Sequence, residues 1–223
     1  MNKLLIATCT RAKTLEEFST RPLYESLKKQ CDMHPDIEFY IFKDNTNGLS
    51  QNYNLLLKND KYKDYTILFV HDDVILEDIF LYEKLLQSPY SITGLAGATS
   101  FNKLSDKLAW HLAALQQAYV GEVAHQNKDK VWTTVFGPTN SRALILDGLF
   151  LSCRVSDLLE KELFFDENFN FHFYDIAFCL NANKKQVTCG VLPIRVVHLG
   201  LGDSMLSTEW ETAQQRFKEV YCS

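Results

Sequence analysis

The apolar run Ile67-Leu68-Phe69-Val70 stops abruptly at His71-Asp72-Asp73, one imidazole and two carboxylates at the tip of a β-rich segment. Adjacent carboxylates repel when ionised and dehydrated, and a hard divalent cation relieves that repulsion while also binding phosphate oxygens. The competing reading makes Asp72 or Asp73 the cap of a helix beginning near Ile75, and the pair alone does not separate the two. A second β-rich run, Val196-Val197, ends in His198 and passes into a loop containing Gly200, Gly202, Asp203 and Ser204. Imidazole suits manganese-type and other transition ions, and glycine lets backbone N–H groups approach phosphate closely. A histidine hydrogen-bonded at a strand end is the plainer alternative.

In a third segment, Phe171-His172-Phe173-Tyr174-Asp175-Ile176-Ala177-Phe178, a carboxylate stands among aromatics. On a helix His172 and Asp175 share a face, and a carboxylate partly desolvated by aromatics gains proton affinity and can serve as general base toward a hydroxyl. Otherwise Asp175 is an N-terminal carboxylate stabilised by the helix dipole. A fourth segment, Lys43 to Asn54, is a polar turn whose amides and carboxylate can hydrogen-bond a base or ribose.

These groups need a scaffold that brings distant strand ends together. The first half alternates strand-like and helix-like patterns: strand over 3–8, helix over 15–29, strand over 37–43, helix over 50–58 with Ser50 as N-cap, and strand over 65–71. Such alternation predicts parallel βαβ units, whose strand C-termini face one crevice. A helix over 76–87 and a strand over 92–98 follow, and 101–138 reads as an inserted segment or flap with a helix over 108–119. Later come a strand over 142–154, a short helix over 156–163 capped by Ser156 or Asp157, a helix over 171–184 and a strand over 187–198. The final helix, 208–221, has a capping box in Thr208 and Glu211, with Trp210, Ala213, Phe217 and Val220 at packing positions.

The 223 residues allow one generous domain, and 46% hydrophobic and 13% aromatic residues exclude a disordered polymer. A net charge of -5 without a basic run argues against nucleic acid as partner. Apolar stretches are strand-sized, short of the roughly 20 residues of a bilayer span, and the N-terminus reads as a first strand rather than a secretory signal, so the cytosol is the expected compartment. Six cysteines without Cys-x-x-Cys spacing predict reduced, packed thiols.

Together the four segments resemble the inverting GT-A glycosyltransferases, specifically the short glycosyltransferase-like branch of family 2, over nearly the whole chain. The resemblance implies an α/β fold: a Rossmann-like, mixed and mostly parallel sheet flanked by helices. It implies one domain over 1–223, with a nucleotide-binding half over 1–100 and an acceptor-binding half over 101–223. His71-Asp72-Asp73 is similar to the family's Asp-x-Asp motif, with His at its first acidic position. Asp73 and His198, with His71, would then hold Mn2+ or Mg2+. Asp175 falls where the family places its catalytic base, with Ala177 where a second acidic residue is usual. Thr8, Thr10, Arg11, Asp44, Asn45, Asn54, Asp72 and the loop residues Gly202, Asp203 and Ser204 would contact the nucleotide diphosphate. Asp147 and Gly148, in the family's Asp-Gly strand, would contact sugar or acceptor, together with Trp110, Trp132 and His172. The implied activity is transfer of a sugar from a nucleotide-sugar donor to a hydroxyl acceptor with inversion, in glycan or polysaccharide synthesis. A catalytically silent carbohydrate-binding scaffold of the same fold and a nucleotidyltransferase are the alternatives. The second normally carries a Gly-rich loop after its first strand, and Thr8 to Lys13 has no glycine.

Overall fold

The computed structural model describes residues 3–200 and 207–222. The apolar strand β1 (Lys3–Cys9) is followed by two helices, α1 (Leu15–Phe18) and α2 (Pro22–Met33), where the sequence predicts one. Pro22 is the cause. It fits the first turn of a helix but cannot continue one, so the chain breaks at Arg21 and restarts. Strand β2 (Ile37–Phe42) leads through a polar turn to α3 (Leu49–Leu57) and then β3 (Tyr65–Val70). The N-cap of α3 is Gly48, not Ser50; a side chain at Gly48 would collide with Asn170, and the Ser50 hydroxyl instead donates to the Phe169 carbonyl at 2.7 Å.

Beyond the acidic tip lies strand β4 (Val74–Leu76), and the predicted helix shrinks to α4 (Leu81–Leu86). The glycine-containing run 92–98 splits at Leu95 into β5 (Ile92–Gly94) and β6 (Ala96–Ala98), which belong to different sheets. The segment 101–138 contains a short α-helical turn, α5 (Trp110–Ala113), a 3-10 turn (Gln116–Ala118) and a hairpin of β7 (Tyr119–Asn127) and β8 (Lys130–Val135). Three short strands follow, β9 (Ser141–Ala143), β10 (Ile145–Leu146) and β11 (Phe150–Arg154), then α6 (Val155–Glu160), preceded by Arg154 rather than capped by Ser156 or Asp157. The chain continues through α7 (Tyr174–Lys184), β12 (Cys189–Val191) and β13 (Val196–His198) to α8 (Thr208–Phe217). Ser207, one residue before the expected cap, accepts from the Trp210 N–H; Trp210 and Phe217 are buried, and Val220 is exposed.

The larger sheet runs β2-β1-β3-β11-β5-β12-β9. It is mixed. β2, β1 and β3 pair in parallel, as do β5 and β12, whereas β11 is antiparallel to both its neighbours and β9 is antiparallel to β12. Parallel pairing therefore predominates only in the first half. The second sheet runs β10-β6-β7-β13-β4, with β8 also paired to β7. The segment expected as an insertion thus supplies the middle strand of this sheet. Buried side chains from both sheets and their helices, among them Leu4, Phe69, Phe150 and Phe178, form one continuous core. The arrangement is a mixed sheet flanked by helices of the Rossmann-like GT-A kind. Within the described residues, no helix is long and apolar enough to cross a membrane.

Candidate active site

Parallel pairing of β1 with β2 and β3 puts the C-terminal ends of all three strands on one side, where a crevice opens. His71 and Phe171 stand at its centre, their rings roughly parallel with centroids 6.1 Å apart, and both line three adjoining cavities. One, of about 350 Å³, is bounded by Thr10, Arg11, Arg21, Asn45, Asn47 and the acidic tip. Another, of about 820 Å³, lies under the β7–β8 hairpin, and a third, of about 400 Å³, reaches Asp147, His172 and Asp175.

The two adjacent carboxylates have separate tasks. Both oxygens of Asp72 accept from one edge of the Arg21 guanidinium, from Nε and Nη2 at 2.8 Å each, and Oδ2 also accepts from the Thr10 hydroxyl at 2.6 Å. Asp73 points the other way. Its Oδ2 lies 3.3 Å from His198 Nε2, and its Oδ1 is buried with no hydrogen-bond partner among the described residues. The two strand ends meet because β13 pairs antiparallel with β4, which directly follows the acidic tip, and the Leu199 N–H donates to the Asp73 carbonyl. A side chain at Gly200 would strike both His198 and Asp73, so glycine is what lets the backbone pass over this pair. Burial pushes the Asp73 carboxyl up, but His198 and His71 outweigh it and hold the group below its ordinary value. A buried oxygen without a donor, beside an imidazole, is a donor set that fits a divalent manganese-type ion.

His71 is less free than the sequence suggests. Its Nε2 lies 3.3 Å from the Tyr174 hydroxyl, and burial lowers its proton affinity. Tyr174 in turn donates to the Gly148 carbonyl at 2.7 Å, while the Gly148 N–H donates to Asp175 Oδ2 at 2.8 Å. Asp175 sits in the first turn of α7, entered through Phe173 in the left-handed region at φ 64°. Phe173 is buried against Trp210 and Phe217, packing that can sustain this unfavourable conformation for a non-glycine residue. Burial raises the Asp175 pKa to about 7, with the neighbouring Asp147 adding to the rise and the Ile176 and Gly148 amides opposing it. Asp147 Oδ2 accepts from the Trp110 indole N–H at 2.6 Å and Oδ1 from the Leu149 N–H at 2.8 Å.

Several expected contacts stand elsewhere. Thr8 is buried and lines none of the three cavities, and Asp44 is exposed at the turn with φ 47° and lines none either. Asn54 is buried behind α3, where it donates to the Phe165 carbonyl and accepts from the Phe165 N–H, both at 2.9 Å. Trp110 is buried and braces Asp147, whereas Trp132 is 43% exposed and stacks on His125 with centroids 5.6 Å apart. Thr10, Arg11, Asn45 and Asp72 line the 350 Å³ cavity; His71, Asp147, Gly148, His172 and Asp175 line the one around α7. Gly202, Asp203 and Ser204 lie outside the described residues.

Sequence reasoning missed Arg21, which ties the acidic tip, and His125, which faces His198 across the β7–β13 pairing. The Arg21-Pro22 junction was the signal for the first, and the alternating β-rich pattern around Lys128-Asp129 for the hairpin that carries the second.

The model of the glycosyltransferase-like family matches residues 25–221, taking in the acidic tip, Asp147, Asp175 and His198. The chain belongs to that family. No curated protein matches this glycosyltransferase-like chain in sequence. Among solved structures it is similar to A197 from STIV at 16% identity, over 88% of this chain and 82% of that one, with a TM-score of 0.47. It is also similar to a Bacillus anthracis structure named as a glucose-1-phosphate thymidylyltransferase in complex with a sucrose, at 13% identity over 99% and 96% of the two chains, with a TM-score of 0.39.

Proposed function

We propose that the protein transfers a sugar from a nucleotide diphosphate donor to a hydroxyl acceptor with inversion, using Asp175 as general base. The observation that carries this reading is the juxtaposition, in one crevice, of the Asp73–His198 pair with a carboxylate whose pKa is raised to about 7. Arg11, Thr10, Asn45 and Asn47 bound the cavity that would take the nucleotide, and Asp72 fixes Arg21 at its edge. Among the described residues no group of three or more His, Cys, Asp or Glu side chains is arranged to hold an ion. Asp73 and His198 would therefore supply two ligands to Mn2+ or Mg2+, which when bound offsets the charge of a departing diphosphate. Asp175 would accept the proton of the attacking hydroxyl, while the Gly148 and Ile176 amides hold its carboxylate in place. Glycan or polysaccharide synthesis is the setting that such a reaction serves.

Isothermal titration with UDP and GDP, with and without manganese, tests the donor half. Wild type should bind one of them in a metal-dependent way, and Asp73→Asn should weaken that binding at least about tenfold. Asp175→Asn should leave this affinity within about twofold and lower transfer by at least about a hundredfold. Binding of glycan with no nucleotide affinity would favour the silent module, and unchanged turnover in Asp175→Asn would remove that residue from the mechanism.

A further inference from the structure

We propose that the acceptor is an electrically neutral saccharide, packed by one ring face against the aromatic wall under the β7–β8 hairpin, and that acceptors bearing a carboxylate or phosphate are rejected by charge. The inference rests on the glycosyltransferase reading above and narrows it to a substrate class.

Charge is unevenly distributed along the crevice. Arg11 and Arg21 both line the cavity on the nucleotide side. Among the described residues, neither the 820 Å³ cavity nor the one reaching Asp175 is lined by any Lys or Arg. Residues 201–206, which follow Gly200, contain none in sequence either. Apart from Asp73, whose charge a bound metal would offset, the acidic groups facing these two cavities among the described residues are Asp147 and Asp175, and burial drives the imidazoles of His111 and His172 toward their neutral form. Asp147 is held by an indole and an amide, neutral donors that leave its charge uncancelled. A second anion brought here would meet like charge in surroundings partly shielded from water, where repulsion is stronger than in bulk. The same carboxylates and imidazoles readily accept hydrogen bonds from sugar hydroxyls.

The wall itself is apolar. Trp110, Tyr119, Trp132, Phe136 and Phe171 line the larger cavity. Of these Trp132 and Phe171 are exposed, at 43% and 53%, and Trp132 is the indole, already propped by His125. A half-exposed indole with a supported ring is a surface on which the C–H face of a neutral pyranose can pack, and a largely apolar pocket with a few convergent polar groups is the usual form of a small-molecule site.

The test uses matched pairs that differ only in charge: methyl β-glucoside against methyl β-glucuronide, and methyl β-galactoside against methyl β-galacturonide. Each is titrated into the full chain with manganese and whichever of UDP and GDP binds, following the Trp132 indole N–H resonance, assigned with Trp132→Phe. The neutral member of at least one pair should shift that resonance and bind at least about tenfold more tightly than its acid. Thr134→Lys, which adds a cation to a partly exposed hairpin position lining the cavity, should bring the acid to within about threefold of the neutral partner. Equal or tighter binding of the acids by wild type overturns the proposal, as does the failure of every neutral glycoside to move the Trp132 resonance. Either result leaves metal-dependent nucleotide binding intact, so the narrower claim can fail while the glycosyltransferase reading stands; loss of nucleotide binding fails that reading instead.

Discussion

Two amide donors and one neighbouring carboxylate act on Asp175 within a buried setting, and their balance determines the pH range over which it can take a proton. Burial is the largest influence and Asp147 the next, together lifting the pKa to about 7. Proton abstraction should therefore fail as pH falls through about 7, giving kcat an acid limb there. Asp147→Asn removes the second influence and keeps the first, so the limb should move to lower pH yet stay above the ordinary carboxylate range. The plateau rate should drop too, because a weaker base drives transfer less. Steady-state rates between about pH 5 and 9 check this; a limb that stays in place while the plateau falls would restrict Asp147 to substrate contact. At this scale the sequence was informative where chemistry clashes with surroundings. A carboxylate among aromatics at Asp175 and carboxylates closing an apolar strand at Asp73 are visible without coordinates. The partners that tune them are not, because Gly148 reaches Asp175 and His198 reaches Asp73 across separations that no local pattern encodes.

Among elements, α3 illustrates how a polar residue can be misread. Asn54 lies in a segment rich in amides, which suggests ligand contact, yet its side chain bonds both backbone groups of Phe165, 111 residues away, and Glu167 besides. It fastens α3 to the strand-free segment that leads into α7. Asn54→Ala would strand a buried N–H and a buried C=O, costing about 2–6 kcal/mol at about 1–3 kcal/mol for each unsatisfied group. The nucleotide affinity of the folded fraction should remain within about twofold. Urea unfolding midpoints paired with nucleotide titration distinguish this from a ligand-binding role, in which affinity falls and stability holds. The βαβ half was legible because alternating patterns and short turns enforce it locally. The second sheet was not, since β4, β6, β10 and β13 are two or three residues long, β7 falls in the segment expected as an insertion, and only their mutual pairing defines the sheet.

For the whole molecule, the acid and the histidines of the crevice pull stability in opposite directions with pH. His71, His111, His125 and His172 have proton affinities lowered by burial, so the unfolded chain binds protons that the folded one refuses, and these groups make stability rise with pH up to the ordinary histidine value of about 6.5. Asp175 does the reverse. Its folded pKa of about 7 lies above the ordinary aspartate value of 3.8, so the folded chain retains a proton that the unfolded chain has already released, and stability falls as pH rises between those two values. The two trends overlap, and wild-type measurements alone mix them. Subtraction separates them: Asp175→Asn lacks the ionisable group but keeps all four histidines. The unfolding free energy of Asp175→Asn minus that of wild type should thus become more positive from about pH 4 to about pH 7 and level off above. The absolute offset between the two proteins is not diagnostic, because the amide cannot accept from both backbone donors with equal geometry. The slope is. Urea unfolding of both chains at a series of pH values measures it, and a difference that stays flat across this interval would mean that Asp175 titrates as an ordinary carboxylate, leaving the crevice without a base poised near neutrality.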